Sequence, residues 1–188
     1  MRLIRALALV AAVLPLGATA ALGPVGAEGR VEVLFAPHDP VEARLIALIG
    51  QARRSVQVQS YIFTRKTVAA ALVAAQARGV AVQVLADARM NQRGKNALPQ
   101  LITAGVPVAL ETAYSAAHNK LILIDADTAN PVVITGSYNL TWSAGRKNAE
   151  NVLVLHGHRE VARAYRDNWR RHWQAATPVA RLPVKLVD

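Results

Sequence analysis

Apolar residues along this chain switch repeatedly between a period of two and a period of three to four, and the switches divide it into short elements. Residues 31–35 alternate into a first strand. Asp39-Pro40 is a helix entry, and residues 41–53 set Leu45, Ile46, Leu48 and Ile49 at helical spacing. Residues 55–62 oppose Val56 and Val58 to Gln57 and Gln59, which predicts a strand with one polar face. An Ala-rich helix over 66–78 stops at Gly79, and 80–86 is again a strand. A polar loop over 87–96 leads to a short helix at 97–104 and a strand at 106–110. Residues 116–139 hold two apolar runs separated by Asp125, Asp127, Asn130 and Pro131, turn formers that predict a hairpin. One helical turn at 140–144, a basic loop at 145–147 and a strand at 151–155 follow. The helix at 159–173 closes the series, with Tyr165, Trp169 and Trp173 along one stripe suited to core or dimer packing.

This alternation predicts an α/β fold, a mixed and mostly parallel β-sheet flanked by helices on both faces. No internal repeat is visible. The two ends read differently from the middle. Arg2 and Arg5 precede an apolar run over 6–16 and the small-residue pattern Ala18-Thr19-Ala20, which predicts a signal peptide over residues 1–20, with cleavage as late as residue 27. Export then places the protein in a bacterial-type periplasm or outside the cell, with no stable membrane span after cleavage. A single domain over 31–175 is expected, and 176–188, with Pro178 and Pro183, is expected to be a loosely ordered tail.

The 188 residues suffice for one core and carry a formal charge of +10. Removing Arg2 and Arg5 takes two charges and leaves +8, which favours polyanionic partners, nucleic acid or an anionic membrane surface. There is no cysteine, so disulfides, thiolate zinc sites and cysteine nucleophiles are excluded.

The chemistry concentrates in 116–139. His118 and Lys120 lie two apart at the start of an apolar run, so an extended backbone turns both to one face. Ser137 and Asn139 repeat that spacing after Gly136 and offer a hydroxyl and an amide. A His-x-Lys pair alone is usually a solvated strand edge. The joint pattern is different: His118-x-Lys120-x(4)-Asp125, then Gly136-Ser137-x-Asn139, then Asn148-Ala149-Glu150-Asn151, resembles the signature of the phospholipase D superfamily and its small single-motif bacterial nucleases. The likeness runs over about residues 31–173.

The resemblance implies a phospholipase D-like α/β sandwich and a metal-independent phosphodiesterase without a cofactor. His118 attacks phosphorus to give a phosphohistidine, while Lys120, Asn139 and Ser137 hold the non-bridging oxygens. The leaving group needs an acid, which in that family is a second histidine from a second motif; one motif here implies a homodimer with two His118 facing across a two-fold axis. By the same resemblance Glu150 accepts a hydrogen bond from a His118 ring nitrogen. Asp125, at odd spacing from His118, is given a structural supporting role bonding backbone or a basic side chain.

Arg89, Arg93 and Lys95 in one loop, with Arg146 and Lys147 in another, would flank the site and fit a DNA or RNA backbone. The expectation is a non-specific endonuclease. Its alternatives are a phospholipase D, disfavoured because no exposed amphipathic apolar segment is visible, and a catalytically silent basic nucleic-acid-binding module. Ser137 lacks the G-x-S-x-G elbow of a serine hydrolase. His156-Gly157-His158 reads as a surface turn rather than a metal pair, and Ser60 and Tyr61 are open between pocket lining and packing.

Overall fold

Helices alternate with strands at the start of the chain and strands return on themselves near its end, so the sheet is assembled out of chain order. A computed structural model describes residues 22–26, 28–92 and 96–180. The expected signal peptide lies outside the described residues. The elements are β1 (Arg30–Ala36), α1 (Val41–Gln51), β2 (Ser55–Ser60), α2 (Lys66–Ala77), β3 (Ala81–Asp87), α3 (Ala88–Asn91), α4 (Leu98–Thr103) and β4 (Val108–Glu111). Then come β5 (Lys120–Ile124), β6 (Val132–Gly136), α5 (Trp142–Arg146), β7 (Glu150–His156), α6 (Arg159–Ala175) and β8 (Thr177–Val179).

Eight strands form one sheet in the order β1-β7-β6-β5-β2-β3-β4-β8. Only β2–β3 and β3–β4 pair in parallel among the described residues, where α2 and α4 carry the chain back across the sheet. The pairs β1–β7, β2–β5, β4–β8, β5–β6 and β6–β7 are antiparallel. The sheet is therefore mixed, as expected, but antiparallel pairing dominates rather than parallel.

One face carries α1, α2 and α4 on Val56, Val58, Val84, Ile122, Ile134 and Val154. The other carries α6, whose Trp169 is 1% exposed and packs with Leu85, Leu121, Leu123 and Val133. This second layer buries the polar face expected of β2. Gln57 and Gln59 lie under it, 8% and 1% exposed, and Gln59 donates to both carboxylate oxygens of Glu111 at 3.1 and 3.0 Å. An amide can alternate with valine in a buried strand when a carboxylate receives its N–H groups.

Three further expectations need correction. The polar loop after β3 contains the one-turn helix α3, capped by Asp87, and the basic loop around 146 is the helix α5, capped by Thr141. The tail begins as β8, which adds to the open edge of β4 with Pro178 opposite Ala109, a position where a missing N–H is tolerated on an edge strand. Residues 181–188 lie outside the described residues.

Candidate active site

The three strands β2, β3 and β4 end at the same edge of the sheet, and β5 starts there because Ser60 pairs with Lys120. β6 ends and β7 begins at that edge too, since Gly136 pairs with Val152. The ends of parallel strands, where successive connections diverge, are where an open α/β sheet leaves room for a ligand. Here they gather His118, Lys120, Ser137, Asn139 and Glu150 from three separate stretches of chain. Gly136 makes the β6 exit possible. Its φ is +149°, and a Cβ there would lie 2.2 Å from the Asn151 carbonyl oxygen.

His118 is exposed, and the Lys120 ammonium reaches its Nδ1 at 2.9 Å and its backbone carbonyl at 2.6 Å. With the lysine charged, Nδ1 accepts and the ring proton sits on Nε2. Burial pushes the Lys120 pKa below its ordinary value, against the attraction of Glu150. The Tyr61 ring touches the His118 ring, with centroids 4.3 Å apart and planes at 57°, and lies 4.9 Å from the Lys120 ammonium. Beneath Lys120 is a pocket lined by Ser60, Thr135, Gly136, Tyr138 and Val152.

The remaining motif residues are placed less simply. Ser137 donates its hydroxyl to Glu150 in a very short bond and accepts from the Asn151 amide at 3.0 Å. Glu150 also accepts from the Asn148 side chain at 2.9 Å. Within one chain Glu150 thus bonds Ser137 and Asn148 and not His118: β7 presents Glu150 toward the β6 exit, while Lys120 occupies Nδ1. The Asn139 Oδ1 is buried without a hydrogen-bond partner among the described residues. Asp125 lies at the opposite end of β5, where its carboxylate accepts from the backbone N–H groups of Arg53, Arg54 and Ser55 at 2.7 to 3.3 Å.

Of the expected basic flank, Arg89 is exposed on α3, Arg146 is exposed at the end of α5, and Lys147 lies over the exposed Trp142 ring at 5.2 Å. Arg93 and Lys95 lie outside the described residues. His156 closes β7 beside Glu32 at 3.3 Å, and among the described residues no cluster of three or more His, Asp or Glu is arranged to hold a metal ion.

Two residues that the motif does not contain position it. Asp87, 1% exposed, accepts from Met90 N and Ala117 N at 2.8 Å each, so one carboxylate ties α3 to the segment carrying His118. Asn91, 0% exposed, accepts from Phe63 N at 3.0 Å and donates to the Tyr61 carbonyl at 2.8 Å. The only sequence signal for Asp87 was an aspartate between a strand and a polar stretch, the position of a helix cap.

Residues 45–173 match the family described as cardiolipin synthase, PLD-like domain. The chain belongs to the phospholipase D superfamily. It is 37% identical to a phospholipase D of Rickettsia prowazekii over 141 residues, which are 74% of this chain and 66% of that protein. To a mitochondrial cardiolipin hydrolase of Xenopus tropicalis it is 31% identical over 145 residues, 77% of this chain and 67% of the relative. The chain therefore spans about two thirds of the length of these curated relatives. Among solved structures, a phospholipase D family member, Nuc from Salmonella typhimurium, superposes with a TM-score of 0.74 at 28% identity, covering 81% of this chain and 99% of that one. The superfamily's phosphodiester hydrolysis fits a histidine and a lysine held together at an open sheet edge.

Proposed function

We propose that this phospholipase D-like chain is an exported endonuclease that hydrolyses nucleic-acid phosphodiester bonds through a phosphohistidine. The observation that carries the chemistry is the exposed His118 ring with a lysine ammonium 2.9 Å from it. Phosphate oxygens entering the site draw the Lys120 charge to themselves and release the ring from it. The imidazole lone pair then attacks phosphorus, the P–O bond to the leaving group breaks, and the leaving oxygen takes a proton from an acid on the far side. Water next attacks the phosphohistidine, returns a proton to that acid, and the P–N bond breaks. A fixed ammonium supplies the charge stabilisation for both steps, so no metal ion is required in this scheme.

Among the described residues the His118 ring contacts Lys120 and Tyr61 and no second histidine. A single histidine at the site supports a homodimer in which His118 of a second copy is the acid. Glu150, which does not bond its own His118, is then free to orient the second copy's ring.

Nucleic acid is favoured as substrate by the charge of +8 left after removal of Arg2 and Arg5, and by exposed Arg89 on α3, Arg146 at the end of α5 and Lys147 just after it. A phospholipase D is the second reading. Tyr114 and Trp142, each 50% exposed, and Met90, 38% exposed, stand on the connections leading to and from this edge, an apolar element the sequence did not reveal. No described helix is long and apolar enough to cross a membrane.

The deciding experiment compares plasmid DNA, single-stranded RNA and cardiolipin or phosphatidylcholine vesicles as substrates, each with and without EDTA. Cleavage of nucleic acid that persists in EDTA and is lost in His118→Ala supports the reading. Hydrolysis of vesicles alone replaces it with the phospholipase, and a strict need for added metal refutes the scheme.

A further inference from the structure

Tyr61 follows the last residue of β2 and belongs to no regular element, yet its backbone is fixed from two sides. Asn91, fully buried on α3, donates to the Tyr61 carbonyl at 2.8 Å and accepts from Phe63 N at 3.0 Å. On the other side, Phe63 bridges to Leu140, and Thr64 N and Arg65 N both donate to the Leu140 carbonyl, at 2.9 and 3.0 Å. Leu140 directly follows Asn139, so the segment bearing the ring is clipped between α3 and the end of the second motif.

The ring so placed meets both groups of the first motif. It touches the His118 imidazole at 4.3 Å between centroids and lies 4.9 Å from the Lys120 ammonium. An aromatic face attracts a nearby cation electrostatically, and the attraction strengthens as water is excluded. The same contact blocks rotation of the imidazole toward β2. His118 itself sits in irregular backbone, held from behind through Ala117 and Asp87, so the segment is fixed but the ring is not.

We propose that Tyr61 is a positioning residue of the active site, its ring serving as the platform that orients the His118 imidazole and keeps the Lys120 ammonium at the attack position. This rests on the reading of His118 and Lys120 as the reacting pair and goes beyond it, because Tyr61 lies outside every motif that identifies the site. The ring makes the contact, so phenylalanine preserves it and leucine, apolar but shorter and without a π face, removes it.

The charged and titratable groups facing Lys120 are His118 beside it, Tyr61 from the end of β2 and Glu150 from β7. Burial already lowers the Lys120 pKa, and losing the aromatic face lowers it further, because that face favours the charged form.

The test uses the full chain, bis(p-nitrophenyl) phosphate as a small diester, and the variants Tyr61→Phe and Tyr61→Leu. Tyr61→Phe is expected to keep kcat within about twofold. Tyr61→Leu is expected to lose about tenfold in kcat with KM changed less than about twofold, and to show the alkaline limb of kcat at lower pH than the wild type. Equal kcat and equal limbs in the two variants would overturn the proposal, as would a matching loss in both, which marks the hydroxyl instead. A second measurement needs no turnover. The His118 ring protons are expected at upfield NMR shifts in wild type and Tyr61→Phe and at ordinary shifts in Tyr61→Leu; ordinary shifts in the wild type refute the contact. Should the wild type hydrolyse no diester, the proposed function fails, and the NMR comparison still decides the role of the ring.

Discussion

The two ends of β5 carry members of one signature under opposite physical conditions. At its start, His118 is exposed and Lys120 is tied to it, a pair of groups that retain lone pairs and protons for a ligand. At its finish, about 17 Å away for five residues of extended chain, Asp125 is 9% exposed and its carboxylate receives three backbone N–H groups. Asp125 also has φ +51°, a left-handed conformation that aspartate tolerates, and its own N–H donates to Ser55 at 2.9 Å. A carboxylate saturated this way is a structural clasp between the α1–β2 connection and the turn after β5. Incomplete satisfaction marks the reactive end, and complete satisfaction marks the supporting one.

The comparison breaks most decisively at His118. His118→Ala is expected to lower kcat on small diesters by on the order of ten-thousandfold or more while leaving the melting temperature within about 2 °C, since an exposed ring contributes little to folding. Initial rates and a thermal melt check both halves, and appreciable residual turnover would move the nucleophile elsewhere. Lys120→Met comes next, with a loss of about a hundred- to a thousandfold, the cost of removing one donor to a developing oxyanion. Because burial lowers the Lys120 pKa and the charged form is the active one, kcat is expected to decline with rising pH below the ordinary lysine range; Lys120→Arg, which stays charged, should carry that limb upward. A pH–rate profile of each protein reads the shift.

At the other end the effect is expected in stability. Asp125→Ala leaves three part-buried N–H groups without their acceptor and should lower the unfolding free energy by about 1–3 kcal/mol in urea melts, with kcat per folded molecule within about threefold of wild type. A tenfold fall in kcat with unchanged stability would reverse the division between the two ends. Asp87→Ala sharpens the division, because Asp87 is a satisfied carboxylate at the reactive end. It should cost about 1–3 kcal/mol and also reduce kcat by about tenfold as the His118 segment loosens. The smallest effect belongs to the rim: Arg89→Gln is expected to leave small-diester turnover intact and to reduce by about one the slope of log affinity against log salt on nucleic acid.

Much of this architecture was readable along the chain. The β5–β6 hairpin, the helix stop at Gly79 and the aromatic stripe of α6 each follow from local periodicity or a turn residue, and local signals survive folding. Tyr61 shows the limit. Its sequence position at the end of an alternating run was equally compatible with packing and with the site. Only the bonds from Asn91, 30 residues away, and to Leu140, on another strand connection, aim its ring. The exposed Met90, Tyr114 and Trp142 gave no signal for a related reason: three isolated apolar residues on separate connections make no amphipathic pattern along the chain.

By itself the sequence determined the order of elements, the family signature and the pairing of His118 with Lys120 on one face, since all of these depend on spacing within a few residues. The tertiary structure decided which strands run antiparallel, that Gln57 and Gln59 are buried, that the tail adds a strand, and that Glu150 turns to Ser137 instead of His118. Each of these depends on a partner far away in the chain. Hydrogen-bonding groups take whichever partner the fold brings within reach, and no local pattern encodes which one that will be.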